Sequence, residues 1–288
     1  MSRPPWQDFR EALSAAGFRP SKTLGQNFLL DGNMARSLVR DAGVEAGDRV
    51  LEVGAGCGFL TVHLLEAGAD VLAVEIDRRL CAVASGFLAA YPRVRLLCAD
   101  ALAGKHALSP ELCAALPREG TFKVVSNLPY AVAGPLLVLL TRLPYPPDSL
   151  SLLVQREVAE KAAALPGTTG FGALGARLSL DYERRAGRVV PASLFWPRPR
   201  VESRVVHLVR RPGPGTDPER LARYDRLIDR LFQQRRKTVL ATLSGVTGDR
   251  GRALALLQAA GVPPAARPED LVPEALLALA DALGAGGG

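Results

Sequence analysis

Residues 127–130 read Asn-Leu-Pro-Tyr, set between the apolar runs FKVV and GPLLVLL. An amide oxygen beside a backbone carbonyl makes a pair of acceptors, which suits an amine carrying two hydrogens. Binding both hydrogens of an aromatic amine frees its nitrogen lone pair from the ring, so that it can attack an electrophile without a strong base. Pro129 stiffens the turn that aims the Leu128 carbonyl. Tyr130 offers a ring face to an unstacked base, a contact of about 1–3 kcal/mol. Taken alone, the tetrapeptide could equally be a strand-ending turn in which Asn127 caps a helix and Tyr130 packs in a core.

Further polar positions stand at comparable places. In LEVGAGCGFLT (51–61), Gly54, Gly56 and Gly58 let backbone approach a ligand closely. Their GxGxG spacing, with Phe59 next, differs from the GxGxxG that cradles a dinucleotide pyrophosphate. Glu75, followed by Ile76, can accept both hydroxyls of a ribose, and Asp100, followed by Ala101, can accept an adenine amino group. The set suits a nucleoside cofactor without a pyrophosphate, with S-adenosyl-L-methionine as the candidate. The segment KTLGQNFLLD (22–31) is either a capped loop or an element whose Gln26, Asn27 and Leu29 backbone close over the methionine end of that cofactor. Periodicity leaves both open.

The elements that must position these residues are legible as an alternation. RVLEVG, DVLAVEI, VRLLCAD, FKVVSNL and SLSLLVQ are aliphatic strand-like runs separated by stretches of helical period. This pattern predicts an α/β fold, a mostly parallel sheet with helices on both faces. Gly54, Glu75, Asp100 and Asn127 then fall at four successive strand ends, where such sheets bind ligands. GRVVPASLFW and SRVVHLVRR read as strands completing the sheet. RPGPGTDPE reads as a linker, the helical pattern beyond it as a small α domain, and GAGGG as a disordered tail. The expected domains are 1–211 and 212–288.

Charge is uneven. Residues 1–150 hold 15 basic and 15 acidic side chains, whereas the later half carries the whole net charge of +7. Residues 184–237 alone hold 15 basic against five acidic, among them Arg184, Arg185, Arg188, Arg198, Arg200, Arg204 and the triplet Arg235-Arg236-Lys237. Such an excess suits a polyanion, or else a solvated face in an arginine-rich composition. The four cysteines are widely spaced and the three histidines stand alone, so reduced, mostly buried thiols and no metal are expected. No segment resembles a signal peptide or membrane span, which predicts a soluble, cytoplasmic protein with no membrane partner.

LGQNFL, LEVGAGCGFLT, VEIDRRL, ADAL, SNLPY, FWPRPRVESRVVHL and QRRKT occur in this order. The set resembles the ribosomal RNA adenine N6-dimethyltransferase family, in its small-subunit branch, from about residue 20 to about residue 245. The resemblance implies a Rossmann-like class I methyltransferase domain, a seven-stranded sheet with one antiparallel strand, and a small all-α C-terminal domain that contacts RNA. The implied substrate is a pair of adjacent adenosines in the 3′-terminal hairpin loop of 16S rRNA, in the small ribosomal subunit or its precursor. Asn27, Leu29, Gly54, Glu75, Asp100 and Asn127 match the family's cofactor contacts. Asn127, Leu128 and Tyr130 match its catalytic motif, and Phe195 matches an aromatic that clamps the target base. Ala55 replaces a usual proline, Phe171-Gly172 a usual Tyr-Gly, and Arg198 interrupts a usual proline run. Arg198, Arg200, Arg235, Arg236 and Lys237 are the expected RNA contacts of a monomeric enzyme. The alternatives are a 23S rRNA adenine dimethyltransferase of the macrolide-resistance type and a non-catalytic RNA-binding assembly factor with the same fold.

Overall fold

A computed structural model describes residues 4–21, 24–29, 31–212 and 216–285. In chain order the elements are α1 (Trp6–Ala15), β1 (Phe28–Leu29), α2 (Gly32–Asp41), β2 (Arg49–Val53), α3 (Phe59–Glu66), β3 (Asp70–Glu75), α4 (Arg78–Leu88), β4 (Val94–Cys98), α5 (Pro110–Ala115), β5 (Lys123–Asn127), α6 (Ala133–Thr141), β6 (Ser149–Gln155), α7 (Arg156–Ala163), α8 (Ala173–Ser179), β7 (Tyr182–Val190), β8 (Phe195–Trp196), β9 (Ser203–Arg210), α9 (Pro218–Gln233), α10 (Val239–Thr247), α11 (Arg250–Ala259) and α12 (Pro273–Ala285). Two compact units result, one of Met1–Ala159 with Arg185–Val209, the other of Glu160–Arg184 with Arg210–Gly288. The division differs from the expected boundary at 211 because residues 160–184 pack with the later helices: Phe171 and Ala176 share a core with Tyr224, Leu227 and Ile228.

The first unit is built on a seven-stranded sheet of order β4-β3-β2-β5-β6-β9-β7. β2 pairs parallel to β3 and β5, β3 to β4, and β5 to β6, while β9 runs antiparallel to β6. The central strands are buried on both faces, which is why their sequences are near-continuous aliphatic runs rather than alternating ones. Helix starts are fixed by side-chain caps: Asp31 accepts the Met34 N–H at 2.6 Å, and Asp77 accepts the Arg79 N–H at 3.0 Å.

Three sequence expectations are corrected here. GRVVPASLFW is not one strand of the sheet. β7 stops at Val190 because Pro191 lacks an N–H and fixes its own φ, and Phe195–Trp196 pairs instead with Phe28–Leu29 in a separate two-stranded ribbon. The four thiols are not all reduced. Cys81 of α4 and Cys98 of β4 form a disulfide, because α4 folds back beside the strand end at which Cys98 stands opposite Glu75; their Cα atoms are 6.1 Å apart. Nor are the cysteines mostly buried: Cys57 and Cys81 are, but Cys98 and Cys113 are exposed. Finally, the basic triplet is not helical. α9 ends at Gln233, and α10 begins afresh with Thr238 capping the Ala241 N–H. Of the expected linker, residues 213–215 lie outside the described residues, as do 286–288 of the expected tail.

The second unit packs α8 to α12 around Tyr224, Leu231, Leu243 and Leu279. The Tyr224 hydroxyl donates to the Ala176 carbonyl at 2.8 Å. Arg220 grips Asp281 with both Nε and Nη2, and Arg177 pairs with Asp225 and Asp229. Among the described residues no helix is long and apolar enough to cross a membrane, and no cluster of His, Cys, Asp and Glu could hold a metal ion.

The local arginine excess shrinks once partners are assigned. Arg184 donates to the carbonyls of Ala162, Ala164 and Gly175 at 2.9, 2.9 and 3.0 Å, Arg188 pairs with Asp41 at 2.6 Å, and Arg204 donates to the Gly187 carbonyl at 3.0 Å. Desolvation is the main reason the Arg184 guanidinium falls to about 10. Arg184→Ala should cost about 3 kcal/mol of stability by leaving these carbonyls without their charged donor, read as a lowered unfolding midpoint in denaturant.

Candidate active site

The crevice opens where the sheet order reverses, between β2 and β5. Their ladder runs only from Val50–Lys123 to Leu51–Val124. Beyond it the Ser126 hydroxyl takes over, accepting the Val53 N–H at 2.9 Å, and the two strand ends diverge around a cavity.

The glycine turn forms the floor. The N–H groups of Gly54 and Ala55 both donate to the Val74 carbonyl, at 2.8 and 3.0 Å. Gly54 has φ +76°, and a Cβ there would lie 2.8 Å from Cδ of Pro129, so only glycine lets the turn and the Asn-Leu-Pro-Tyr segment touch. A Cβ on Gly56 would press on the Phe28 ring at 3.1 Å. Gly58 does not line the cavity; it caps α3 and faces Ala84 and Leu88 of α4.

Glu75 and Asp100 stand at the ends of β3 and past β4. Glu75 is only 5% exposed, and each oxygen accepts one backbone N–H, from Gly56 at 2.8 Å and from Asp77 at 2.9 Å. Burial pushes its pKa up, against the pull of those two bonds. Each oxygen keeps a lone pair for a hydroxyl. Asp100 spends Oδ1 on the Leu102 N–H at 2.9 Å and is otherwise exposed. Exposed Ile76 and buried Ala101 complete this wall.

Residues 24–29 form the opposite wall. Gln26 is consumed at both ends, its Oε1 accepting the Ser21 N–H at 2.7 Å and its Nε2 donating to Asp77 at 3.2 Å. It is therefore a tether between this segment and the start of α4, although it lines the cavity. Asn27 donates Nδ2 to the Gly25 carbonyl at 3.0 Å, and its own carbonyl accepts Nδ2 of Asn127 at 2.9 Å. Leu29 is buried and pairs with Phe195. Trp6 and Phe9 of α1, with Phe18, Phe28 and Phe59, pack as an aromatic cluster behind this wall. The sequence reading had given α1 no such part.

The bond to Asn27 orients the Asn127 amide. With one Nδ2 hydrogen on a backbone carbonyl, the amide is held with Oδ1 remaining as an acceptor at the cavity wall. The Leu128 N–H is held by the Leu153 carbonyl at 3.0 Å, and Pro129 packs on Gly54. Tyr130 lines the cavity with its hydroxyl 2.8 Å from Ser203 Oγ, and burial pushes its pKa up. Phe195 is not brought into this lining: it is 3% exposed and sits in the core. Arg198 and Arg200 are exposed on the segment between β8 and β9. Arg235, Arg236 and Lys237 are exposed in the turn after α9, in the other unit.

Two site residues escaped the sequence reading. Glu52, in β2, lines the cavity at 1% exposure, and its Oε2 accepts the Thr61 hydroxyl at 2.6 Å. Desolvation pushes its pKa up to about 8, opposed by the Thr61 bond and reinforced by Glu75. An acidic residue within the apolar run RVLEV, directly before the glycine turn, was the available signal. Ser203, fully buried, was the other, marked only by its place at the end of FWPRPRVES. Together the carboxylates, the positive-φ glycines and Glu52 fit a nucleoside with a cationic tail and no pyrophosphate, as S-adenosyl-L-methionine is.

Comparison with known proteins agrees with this geometry. The family described as ribosomal RNA adenine dimethylase matches residues 17–283. The ribosomal RNA small subunit methyltransferase A of Opitutus terrae is 44% identical, over 94% of this chain and 95% of its own length. Its counterpart in Streptomyces griseus subsp. griseus is 40% identical, over 95% and 93%. Among solved structures, the 23S rRNA methyltransferase ErmE aligns with a TM-score of 0.67 at 26% identity, covering 89% of this chain and 99% of that one. A dimethyladenosine transferase from Plasmodium falciparum aligns with a TM-score of 0.70 at 21% identity, over 86% and 94%, a likeness of fold.

Glu52 gives the site a pH signature. Its folded pKa of about 8 lies above the ordinary carboxylate value, so its contribution to stability is full below about pH 4.5 and is lost as pH rises through about 8. Between those values the wild type should lose stability relative to Glu52→Gln by up to about 1.4 kcal/mol per pH unit, measured by denaturant unfolding across that range.

Proposed function

Because the chain belongs to the ribosomal RNA adenine dimethylase family, we propose that its crevice methylates N6 of two adjacent adenosines in the 3′-terminal hairpin loop of 16S rRNA, giving N6,N6-dimethyladenosine during small-subunit biogenesis. S-adenosyl-L-methionine is the methyl donor, and when bound it supplies an electrophilic methyl group on a sulfonium. The observation that carries the reading is the oriented amide of Asn127, whose Nδ2 donates to the Asn27 carbonyl. Identity of 40–44% to small-subunit enzymes, against 26% to the 23S enzyme, supports the choice of rRNA.

The chain's own residues divide the work. Glu75 accepts the ribose hydroxyls with the lone pairs left over from Gly56 and Asp77, and Asp100 accepts the adenine amine of the cofactor with its free oxygen. Asn27, Leu29, Gly54 and Gly56 shape the wall and floor on which the donor lies, and Glu52 faces its cationic end. Asn127 Oδ1 and the Leu128 carbonyl take the two N6 hydrogens of the target adenine, whose nitrogen then presents its lone pair in line with the methyl. Tyr130 supplies a face for the extruded base. Transfer of the methyl leaves N6 with a positive charge that it loses by releasing one proton to solvent; one hydrogen then remains, and one of the two acceptors suffices to hold the amine. Phe195, as a core residue, supports this pocket by keeping Leu29 in register.

RNA outside the pocket is held through phosphates by exposed cations. In the C-terminal unit Arg226 and Arg230 are exposed one turn apart on α9, directly before Arg235, Arg236 and Lys237. Arg198 and Arg200 serve the methyltransferase unit in the same way. The reading makes the protein a cytoplasmic monomer acting on the small subunit or its precursor.

The test is transfer of labelled methyl to undermethylated small subunits and, in parallel, to protein-free 23S rRNA, followed by nucleoside analysis. Dimethyladenosine in the small subunit alone is expected; label in 23S rRNA would assign the protein to the resistance-type enzymes, and RNA binding without transfer would make it an assembly factor. In the same assay Asn127→Ala should lower turnover about a hundredfold or more with RNA affinity nearly unchanged. Replacing Arg235, Arg236 and Lys237 together by alanine should weaken RNA binding and reduce the slope of log affinity against log salt by about two to three.

A further inference from the structure

The hydroxyl of Tyr130 meets the Oγ of Ser203 at 2.8 Å. Ser203 is fully buried at the first position of β9, where it stands opposite Gln155 of β6. Its side-chain oxygen is therefore held by a packed interior and a fixed strand. Burial keeps the Tyr130 phenol neutral, so the hydroxyl is no base and the useful part of the residue is its ring. The anchor acts on the far end of the side chain: Tyr130 lines the cavity, and the hydroxyl bond opposes a swing about χ1 into that space. The segment carrying Ser203 also begins with Phe195, which pairs with Leu29 of the opposite wall. Residues 195–203 thus touch the lining at both ends, at Leu29 and at Tyr130.

We propose that Ser203 is a positioning residue for methyl transfer: its hydrogen bond pins the hydroxyl end of the Tyr130 side chain and so fixes where the ring on which the target adenine stacks lies, without Ser203 touching adenine or cofactor. The inference rests on reading the crevice as an rRNA adenine dimethyltransferase site. It assigns the Tyr130 hydroxyl to orientation alone, so its removal and the removal of its partner should be one and the same lesion.

A double-mutant cycle on the full chain tests this, with Ser203→Ala, Tyr130→Phe and the pair together assayed for methyl transfer to undermethylated small subunits. Calorimetry with S-adenosyl-L-methionine supplies a second readout. Each single change should lower kcat about threefold to tenfold, the double no further than either single, and donor affinity should stay at the wild-type value. Tyr130→Phe removes the same bond while leaving Ser203 and β9 in place, so a shared effect cannot come from a misfolded Ser203→Ala chain. Additive losses, a wild-type kcat in Ser203→Ala, or a parallel fall in donor affinity would each overturn the proposal while the wild type still methylates RNA. A wild type that transfers no methyl to RNA would overturn the reading of the crevice and this proposal with it.

Discussion

The hydrogen bond from Asn127 Nδ2 to the Asn27 carbonyl is the contact on which the rest of the site depends. An asparagine amide has a donor end and an acceptor end of nearly the same shape, and which end faces a ligand decides whether it can hold an amine at all. Here a backbone carbonyl one hundred residues away in sequence takes a hydrogen of the donor end. That carbonyl has to be brought up to the end of β5 and kept there. Gln26 does so from one side through Asp77, and the β1–β8 ribbon does so from the other. Gly54 lets Pro129 come close enough for Asn127 and Asn27 to meet.

The same economy runs through the carboxylates. Glu75 stitches the glycine turn to β3 through Gly56 and starts the next segment through Asp77, and it retains acceptor capacity after both. Asp77 caps α4, pairs with Arg79 and holds Gln26. Binding groups that are also structural groups are preorganised. Little side-chain entropy is left to lose when a ligand arrives.

Much of this was legible in the sequence, for a physical reason. Parallel strands buried on both faces are written as apolar runs, so the polar residue that ends each run stands out, and Gly54, Glu75, Asp100 and Asn127 did. Glu52 did not, because one carboxylate inside RVLEV looks like an ordinary solvent-facing position until the strand is known to be central. The resemblance puts Phe195 at the target base, whereas the ring is buried in the core, and an aromatic beside prolines carries no mark of its burial. The arginines were over-read because pairing is tertiary: Arg184, Arg188 and Arg204 find carbonyls and carboxylates that charge counting cannot see. The break at Arg235–Thr238 was hidden because helical periodicity continues across it, and only the Thr238 cap reveals the new start. The bond between Cys81 and Cys98 depends on α4 folding back along β4, which no spacing rule encodes.

Glu52 also bears on how ligand affinity at this site will look to a calorimeter. With burial pushing its pKa up to about 8, the side chain carries a proton at neutral pH before a ligand arrives. A cation seated beside it favours the ionised form, so the proton leaves for the buffer as the ligand goes in. The heat released then contains the buffer's own heat of protonation. The same binding event will register different enthalpies in phosphate and in an amine buffer, although the affinity at that pH is one number.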